Sequence, residues 1–321
     1  MKRFLLANLL IPMGSLLSWT SPQDPACDFT PDFLGTLLEY SDYNSLPGQV
    51  DLTCLTFGGV VYGNYDANWN LSFANPIGFI NPQLYAYIGL TKHIQLEFAL
   101  SPLTIFFRNR SATTLQDLNV GLGFQFLWDK KGTAVPNLRF DANLVLPTGK
   151  YEHLNPFLEQ ADQGGRGTYG GICTLVVNKT FYNIPCHTYN FALNISYYFY
   201  GVADVHGINV YSQGLPLNGR GKPGSEILID FAMEYAFSKH YALALDFQYT
   251  HVQKNVLHTH FPGSHQKLTL TSPSADLFQV VPVLEFMINP TIGFYAGASW
   301  SLIGRNIASF AQLVLGMDLT F

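Results

Sequence analysis

The sequence predicts an all-β fold, a transmembrane antiparallel up-and-down β-barrel of about 12 strands. Three observations support this fold: apolar residues recur with a period of two, charged residues are scarce, and the chain ends on an apolar row. Charged residues make up 12% of the chain and hydrophobic residues 48%, whereas about 25% of a soluble domain is charged. No stretch supplies the roughly 18 to 20 uncharged apolar residues of a membrane-spanning helix. Since only helices and closed barrels satisfy every backbone hydrogen bond in lipid, a closed barrel is the remaining membrane-spanning architecture.

The first element along the chain is a predicted secretory signal peptide over residues 1–21. Lys2 and Arg3 provide its positive start, and an apolar run follows over residues 4–11. Because no small-residue cleavage site stands out, an uncleaved anchor is the alternative. Residues 22–48 are rich in proline, and we expect them to form either a periplasmic segment or a plug in the lumen. The transmembrane barrel is predicted over residues 49–321.

The strands are predicted from strict alternation of side chains. In residues 227–237 every odd position is apolar or aromatic, while Asp230 and Glu234 fall on the opposite face. Residues 118–128 and 189–199 repeat this pattern, and their apolar faces also carry no charge. A helix would bring Asp230 and Glu234 together and scatter the aromatic residues around its axis. The two-residue period therefore indicates strands.

About twelve such segments recur, and the links between them alternate in length. The segments lie near residues 50–62, 80–90, 93–101, 116–128, 137–147, 167–178, 188–200, 225–237, 241–252, 276–288, 291–302 and 307–321. Links after even-numbered segments are short. Links after odd-numbered segments are longer, at residues 63–79, 102–115, 148–166, 201–224 and 253–275. This parity is typical of outer-membrane barrels, which have short periplasmic turns, long outer loops and both termini on the periplasmic side.

The last strand carries a predicted assembly signal. One of its faces is formed by Leu313, Leu315, Met317, Leu319 and Phe321. This ending resembles the C-terminal strand that the assembly machinery of bacterial outer-membrane barrels recognises, a terminal Phe preceded by alternate apolar residues. The resemblance implies two partners, the barrel assembly machinery and outer-membrane lipid, and a location in the outer membrane of a Gram-negative cell.

Three further stretches resemble one family of such barrels, the outer-membrane family associated with the meta pathway of phenol degradation. They are Asn81-Pro82-Gln83-Leu84 opening a strand, residues 89–96 across a tight turn, and residues 144–151 leaving a strand. In the last stretch Leu146-Pro147-Thr148-Gly149 precedes a glycine-rich loop. The resemblance implies a channel or transporter-like barrel, and does not specify its solute.

The polar faces of the strands provide the candidate lumen. The charged residues predicted to line it are Glu97, Arg139, Asp141, Asp230, Glu234, Asp246, Glu285 and Asp318. Arg139 is the single cation of this set, so the lumen is expected to be acidic. Pairing the strands on either side of Lys239 brings Asp230, Glu234 and Asp246 onto neighbouring interior positions. Crowded carboxylates attract cations, which predicts a weak cation preference. The alternative is a filled interior in which these carboxylates bind polar neighbours and water.

Other chemistries are not expected. His251, His258, His260 and His265 lie close together in the sequence, but no acidic residue or cysteine stands among them to complete a zinc or copper site. No nucleophile elbow, zinc-protease motif or phosphate-binding glycine loop is present, so an enzyme is not predicted. A net charge of −5 without a basic patch argues against nucleic-acid binding. No cofactor or metal is expected.

Four cysteines, Cys27, Cys54, Cys173 and Cys186, lie in a chain predicted to be exported. Cys173 and Cys186 are expected to flank one hairpin, so a bridge between them and free buried thiols both remain open.

The predicted function is that of an outer-membrane channel for small solutes, either hydrophobic or weakly cation-preferring. The alternative is a structural or surface-interaction barrel that acts through its outer loops. Whether the lumen is open or plugged is not decided by the sequence.

Overall fold

The computed structural model describes residues 43–158, 160–184, 187–263 and 266–321. These residues form eighteen strands and one short 3-10 turn, Pro156–Leu158. The strands are β1 (Val50–Tyr65), β2 (Leu71–Gly89), β3 (Ile94–Leu100), β4 (Pro102–Phe107), β5 (Arg110–Leu115), β6 (Leu118–Leu127), β7 (Asn137–Leu146), β8 (Gly170–Ile184), β9 (His187–Tyr200), β10 (Ala203–Val205), β11 (Asn218–Lys222), β12 (Glu226–Ala236), β13 (Tyr241–Val252), β14 (Val256–His260), β15 (Leu268–Thr271), β16 (Ala275–Asn289), β17 (Ile292–Arg305) and β18 (Ile307–Thr320). Within the described residues, no helix has the length and apolar character needed to cross a membrane. The predicted signal peptide lies outside the described part of the chain.

Twelve of these strands close into one antiparallel barrel, which confirms the predicted fold class. The wall runs in the order β1-β2-β3-β6-β7-β8-β9-β12-β13-β16-β17-β18, and β18 pairs back onto β1. Phe321 completes the closure. Its backbone N–H donates to the carbonyl of Val50 at 2.9 Å, and the Val50 N–H donates to the carbonyl of Phe321 at 3.1 Å. Closure removes the exposed strand edges that an open sheet of this size would present.

The two faces of β12 and β9 differ in polarity as predicted, whereas the inward faces of β1, β16 and β18 also carry a buried apolar cluster that includes Leu55, Phe57, Val281 and Val314. On β12, Asp230 and Glu234 are buried, whereas Phe231 between them is 41% exposed. On β9, Asn190 and Asn194 are buried, whereas Ile195 is exposed on the outer face. The apolar rows therefore point outward and the polar rows inward, an arrangement that requires an apolar solvent around the barrel. The five residues of the predicted assembly signal all lie on the outer face of β18 or directly after it.

The two ends of the barrel also differ. At one end, called the turn end, short links join the strands, and Val50 and Phe321 lie there. At the other, called the loop end, the connections at 147–169, 201–225 and 253–274 are long. The alternation of short links at the turn end with long links at the loop end agrees with the prediction, except for the predicted link at 63–79. Residues 71–79 belong to β2, which pairs with β1 on both sides of a bulge at residues 74–76 and leaves only residues 66–70 as the connection.

Three further predicted links, 102–115, 201–224 and 253–275, contain strands because their backbones pair with a neighbour. Residues 102–115 form the hairpin β4–β5, which extends the wall beyond the rim by pairing with β2. Strands β10, β11, β14 and β15 form a separate four-stranded sheet at the loop end. This sheet has its own apolar core, which includes Val205, Leu217 and Leu257. Sequence alternation did not reveal these strands because most of them are only three to six residues long.

Two smaller predictions are corrected. The Asn81-Pro82-Gln83-Leu84 stretch does not open a strand but lies in the middle of β2. Cys173 does not flank the turn of its hairpin. It pairs with Tyr197, ten residues along β9 from His187, and is a free thiol, as is Cys54. A disulfide requires Cα atoms within about 7 Å, whereas ten strand residues span about 33 Å. Cys27 and Cys186 lie outside the described residues.

Candidate functional site: the barrel interior

The interior of the barrel near the turn end is filled by a polar network around Arg139. The Nε of Arg139 donates to Oδ1 of Asp141 at 2.7 Å, and its Nη2 forms an ion pair with Glu97. Asn143 donates to the second oxygen of Glu97 at 3.0 Å, and Gln95 donates to the first at 2.9 Å. Arg139, Glu97 and Asp141 are each at least 98% buried. Such a charge cluster is stable only when its members neutralise and hydrogen-bond one another.

Glycines on the intervening strand allow this network to form. Glu97 is on β3 and Arg139 on β7, and β6 lies between them. A Cβ on Gly123 of β6 would lie 2.5 Å from Oε1 of Glu97, and a Cβ on Gly121 would lie 2.0 Å from Oδ1 of Asn143. Because neither glycine has a side chain, the long side chains of β3 and β7 meet across β6.

The chain that precedes β1 also enters this half of the lumen. The backbone N–H of Asn44 donates to the side-chain oxygen of Gln125 at 3.1 Å, and that of Ser45 donates to the side-chain oxygen of Gln95 at 2.8 Å. Arg139 donates through Nη1 to the carbonyl of Tyr43 at 3.3 Å. Asn44 and Ser45 are both 4% exposed. Residues 43–45, called the lumen segment, therefore lie in the interior. Residues 22–42 of the segment predicted to be either periplasmic or a plug lie outside the described part, so that prediction stays open.

A second group of acidic residues lies on β12 and β13, which β8 and β9 separate from β7 in the wall. Asp230 and Glu234 of β12 flank Ala232, which pairs with Asp246 of β13. All three carboxylates are buried and face inward. Diagonal neighbours on adjacent strands lie about 7 to 8 Å apart, so Asp246 is within that range of both others. Asn190 donates a hydrogen bond to Glu234.

The remaining two predicted lumen carboxylates are on other strands. Glu285 of β16 is buried opposite Tyr295 of β17. Asp318 of β18 is half-buried and pairs with Thr53 of β1. All eight predicted residues therefore lie on inward faces, but they are distributed around the wall and do not form one cluster.

Towards the loop end the interior contains two adjacent cavities. The inner cavity has a volume of about 330 Å³ and the outer one about 450 Å³. Leu103, Gln116 and Tyr198 line both. These shared residues place the two cavities side by side between the middle of the barrel and its loop end, and the pair is called the recess. None of the eight predicted charged residues lines either cavity.

The inner cavity is lined by carboxamides and aromatic rings. Its walls carry Asn81, Gln83, Gln116, Gln248, Gln312, Phe57, Phe79, Tyr85 and Tyr198, with Leu103 and Leu228. A chain of hydrogen bonds orders one side. Tyr85 donates to Gln83 at 2.6 Å, Gln83 to Asn81 at 2.5 Å, and Asn81 to Gln116 at 3.2 Å. Sequence reasoning missed this site because it considered only charged side chains. The alternation of Asn81, Gln83 and Tyr85 on one strand face was the available signal.

The outer cavity lies beneath the loop that follows β7. Asp117 accepts the backbone N–H groups of Gly149 at 2.9 Å and of Arg166 at 2.8 Å, which fixes both ends of this loop. Burial raises the pKa of Asp117, although the two N–H groups act in the opposite direction. The Arg166 guanidinium pairs with Glu226 and stacks over Tyr200, 4.5 Å from the ring centroid.

Close backbone contacts explain the glycine-rich sequence of this loop. A Cβ on Gly149 would lie 2.6 Å from the carbonyl of Gly164. The two ends of the loop therefore touch through glycines that no larger residue could replace without displacing the backbone. Tyr211 donates to the carbonyl of Arg166 at 2.6 Å, and burial raises the pKa of its hydroxyl. These contacts hold the loop in place over part of the outer cavity.

The candidate histidines do not converge. His251 contacts Asp276 at 2.7 Å at the rim, and His258 contacts Thr269 on the four-stranded sheet at 3.1 Å. His260 pairs with Asn218, and His265 lies outside the described residues.

Comparison with known proteins supports the barrel assignment at the level of the fold. No protein-family model matches the chain, and no curated protein matches it in sequence. The COG4313 outer membrane channel from Pseudomonas putida F1 is similar in structure, with a TM-score of 0.65 and 13% sequence identity over 88% of this chain and 99% of that one. The predicted resemblance to an outer-membrane barrel is thereby confirmed for the fold.

Two autotransporter barrels are less similar. The transport unit of AIDA-I from Escherichia coli gives a TM-score of 0.48 at 12% identity, covering 89% of this chain and 94% of that one. The beta domain of the Bordetella autotransporter BrkA gives 0.46 at 10% identity, covering 85% and 99%. Likenesses at this level carry no argument about function.

Proposed function

We propose that this protein is an outer-membrane channel through which small solutes diffuse. The observation that carries the proposal is the recess formed by the two adjacent cavities, about 450 and 330 Å³, inside a closed barrel. A barrel that only anchored surface loops would gain nothing from a large polar recess in its interior, because unfilled space weakens packing. The outward apolar rows and the fold shared with an outer membrane channel support the same location.

In this proposal the lumen segment closes the inner end of the path. Solutes enter from the loop end, occupy the cavities, and reach the turn end when residues 43–45 shift from Gln95 and Gln125. The segment is held by at least four hydrogen bonds: those of the Asn44 and Ser45 N–H groups, one from the Asn44 side chain to the carbonyl of Gly123 at 3.1 Å, and that from Arg139 to Tyr43. Each is worth about 1 kcal/mol net, so the open state is the minor one.

We further propose that ions which pass are weakly selected for positive charge. Of the eight charged residues predicted to line the lumen, seven are carboxylates, on Glu97, Asp141, Asp230, Glu234, Asp246, Glu285 and Asp318, and one is a guanidinium, on Arg139. An acidic lumen attracts cations and repels anions. In planar bilayers under a KCl gradient, the reversal potential is expected to indicate a modest excess of K⁺ over Cl⁻ permeability; anion preference would reject this part of the proposal.

Liposome swelling tests the channel itself. Vesicles that contain the folded protein should swell in isosmotic solutions of small uncharged solutes, and the rate should fall as solute size increases. Vesicles that stay tight would instead favour the structural or surface-interaction alternative. The four-stranded sheet at the loop end supports that alternative, because it gives the outer loops a rigid surface with its own core.

A further inference from the structure

We propose that the inner cavity is a binding site for a neutral, hydroxyl-rich ring compound of the monosaccharide class. This inference rests on the proposed channel function, because it assigns a solute to the same recess. The volume of the inner cavity, about 330 Å³, is at the lower end of the range for small-molecule sites. No charged side chain lines it. A site without charges gives neither a phosphate, a carboxylate nor an ammonium group a partner to offset its desolvation.

The hydrogen-bonding groups that face the cavity match an uncharged ligand rich in oxygen. Gln248 is 6% exposed, and its side-chain oxygen accepts a bond from Gln279. Among the described residues, nothing accepts a bond from its amide nitrogen. The amide nitrogen of Gln116 is likewise unpartnered there, since only the Gln116 side-chain oxygen is used, by Asn81 and Ser101. These two amide donors, which no described residue satisfies, gain partners when ligand oxygens approach.

Gln312 supplies both a donor and an acceptor. Its carboxamide makes no hydrogen bond to any other described residue, although it lines the cavity. It pairs across the wall with Gly59, whose missing side chain leaves room for it; a Cβ on Gly59 would lie 2.6 Å from Cβ of Gln312. A hydroxyl group both donates and accepts, so it is the ligand group that a single free carboxamide satisfies completely.

The other surface of the cavity is apolar. Phe57 and Phe79 contribute aromatic rings, and Leu103 and Leu228 contribute aliphatic groups. A saturated sugar ring has an apolar C–H face and a rim of hydroxyls, so it can bury the face against these residues while its rim reaches the glutamines. A hydrocarbon would leave the Gln248 and Gln116 donors unpaired, which disfavours it.

Binding in solution tests this inference independently of transport. The folded protein is purified in a detergent without a sugar headgroup, and methyl glucoside binding is followed by saturation-transfer NMR and by tyrosine fluorescence. Saturable binding is expected, and Gln312→Leu should weaken it about 3- to 10-fold, the effect of one hydrogen bond. Gln253→Leu, the same change on an exposed residue of the β13–β14 connection, should leave the affinity unchanged.

The outcomes separate the two proposals. Swelling without saturable binding, or binding that is equal in wild type and Gln312→Leu, overturns the sugar site but not the channel. Equal affinity for benzene and methyl glucoside would also overturn it, because the carboxamides would then play no part. Binding without swelling would uphold the site and reject the channel.

Discussion

Glu97 on β3 and Arg139 on β7 form a buried ion pair across β6, and they meet because Gly123 stands between them without a side chain. This ion pair connects β3, β6 and β7 through side chains in the lumen, in addition to the backbone hydrogen bonds between these neighbouring strands. It also lies in the turn-end half of the barrel, where Arg139 binds the lumen segment through the carbonyl of Tyr43.

Removing the guanidinium is expected to destabilise the barrel strongly. Arg139→Met leaves Glu97 and Asp141 buried without their cation, and breaking a buried pair in this way costs about 3 to 5 kcal/mol. Urea unfolding in lipid vesicles should show this loss of folding free energy. In the triple variant with Glu97→Gln and Asp141→Asn, most of the loss should be recovered, because no uncompensated charge remains. An Arg139→Met protein as stable as wild type would contradict the role of Arg139 as the cation that neutralises Glu97 and Asp141.

Adding one methyl group at Gly123 is expected to disturb the same network. The new Cβ would lie 2.5 Å from Glu97 and 3.0 Å from Asp141, so Gly123→Ala should lose about 1 to 3 kcal/mol of stability through overpacking. Gly58→Ala is the matched control, since a Cβ there meets no atom within 4 Å. That control should be neutral or slightly stabilising in the same unfolding assay. Equal effects at the two glycines would show that space near Glu97 is not limiting.

The lumen segment gives a prediction about conductance. Ser45→Pro removes the backbone N–H that donates to Gln95, whereas Ser45→Ala keeps it. In planar bilayers, the proline variant is expected to show a larger or more frequently open conductance, and the alanine variant should behave as wild type. If both variants matched wild type, residues 43–45 would not control the path.

The terminal aromatic residue is expected to act in assembly. Deleting Phe321 removes both backbone hydrogen bonds to Val50 and the last member of the outward row. The yield of folded protein in the outer membrane should fall several-fold, as followed by heat-modifiable mobility on gels. Phe261→Ala, which changes an exposed aromatic in a loop, should leave the yield unchanged. Undiminished assembly of the deletion variant would reject the assembly signal.

The β1–β2 connection is expected to depend on pH. Asp66 accepts backbone N–H groups from Asn70 at 2.9 Å and Asn68 at 2.7 Å, and these bonds, that from Asn70 first, hold the pKa of its carboxyl below the ordinary value. Because the pKa of Asp66 is lower in the folded protein than in the unfolded protein, the stabilisation is fully present above the unfolded-state pKa. It is lost as the pH falls through the folded-state pKa. After correction for intrinsic rates, amide exchange at Asn70 should therefore accelerate in acid. Asp66→Ala should remove this acceleration; its persistence would exclude Asp66 as the cause.

Much of the fold was predictable because lipid imposes a simple rule on every wall strand. The twelve wall segments and the parity of their links followed from alternation and length. Residues 71–79 were predicted to be a link because this part of the β1–β2 hairpin extends past the rim of the barrel. Its two faces are not held between lipid and lumen there, so the alternation of apolar and polar residues is weaker. The strands of the loop-end sheet were missed because they are only three to five residues long.

The site was less predictable than the wall. Alternation assigned Glu97, Arg139 and Asp141 to the interior but could not indicate which strands would be bridged, since that depends on two glycines in β6. The cavity residues Gln248 and Gln312 were overlooked because carboxamides are common on polar strand faces. Only the closed barrel shows which of them face open space.

The most direct test of the central claim, that solutes pass through the recess inside the barrel, is thiol modification of a single cysteine at Gln312. In a background where all four native cysteines are serine, Gln312→Cys channels in planar bilayers are treated with a bulky methanethiosulfonate. The account predicts a marked loss of current. Leu313→Cys, one residue further along β18 and 65% exposed on the outer face, should be unaffected. Unchanged current through modified Gln312→Cys channels would contradict a path through this recess.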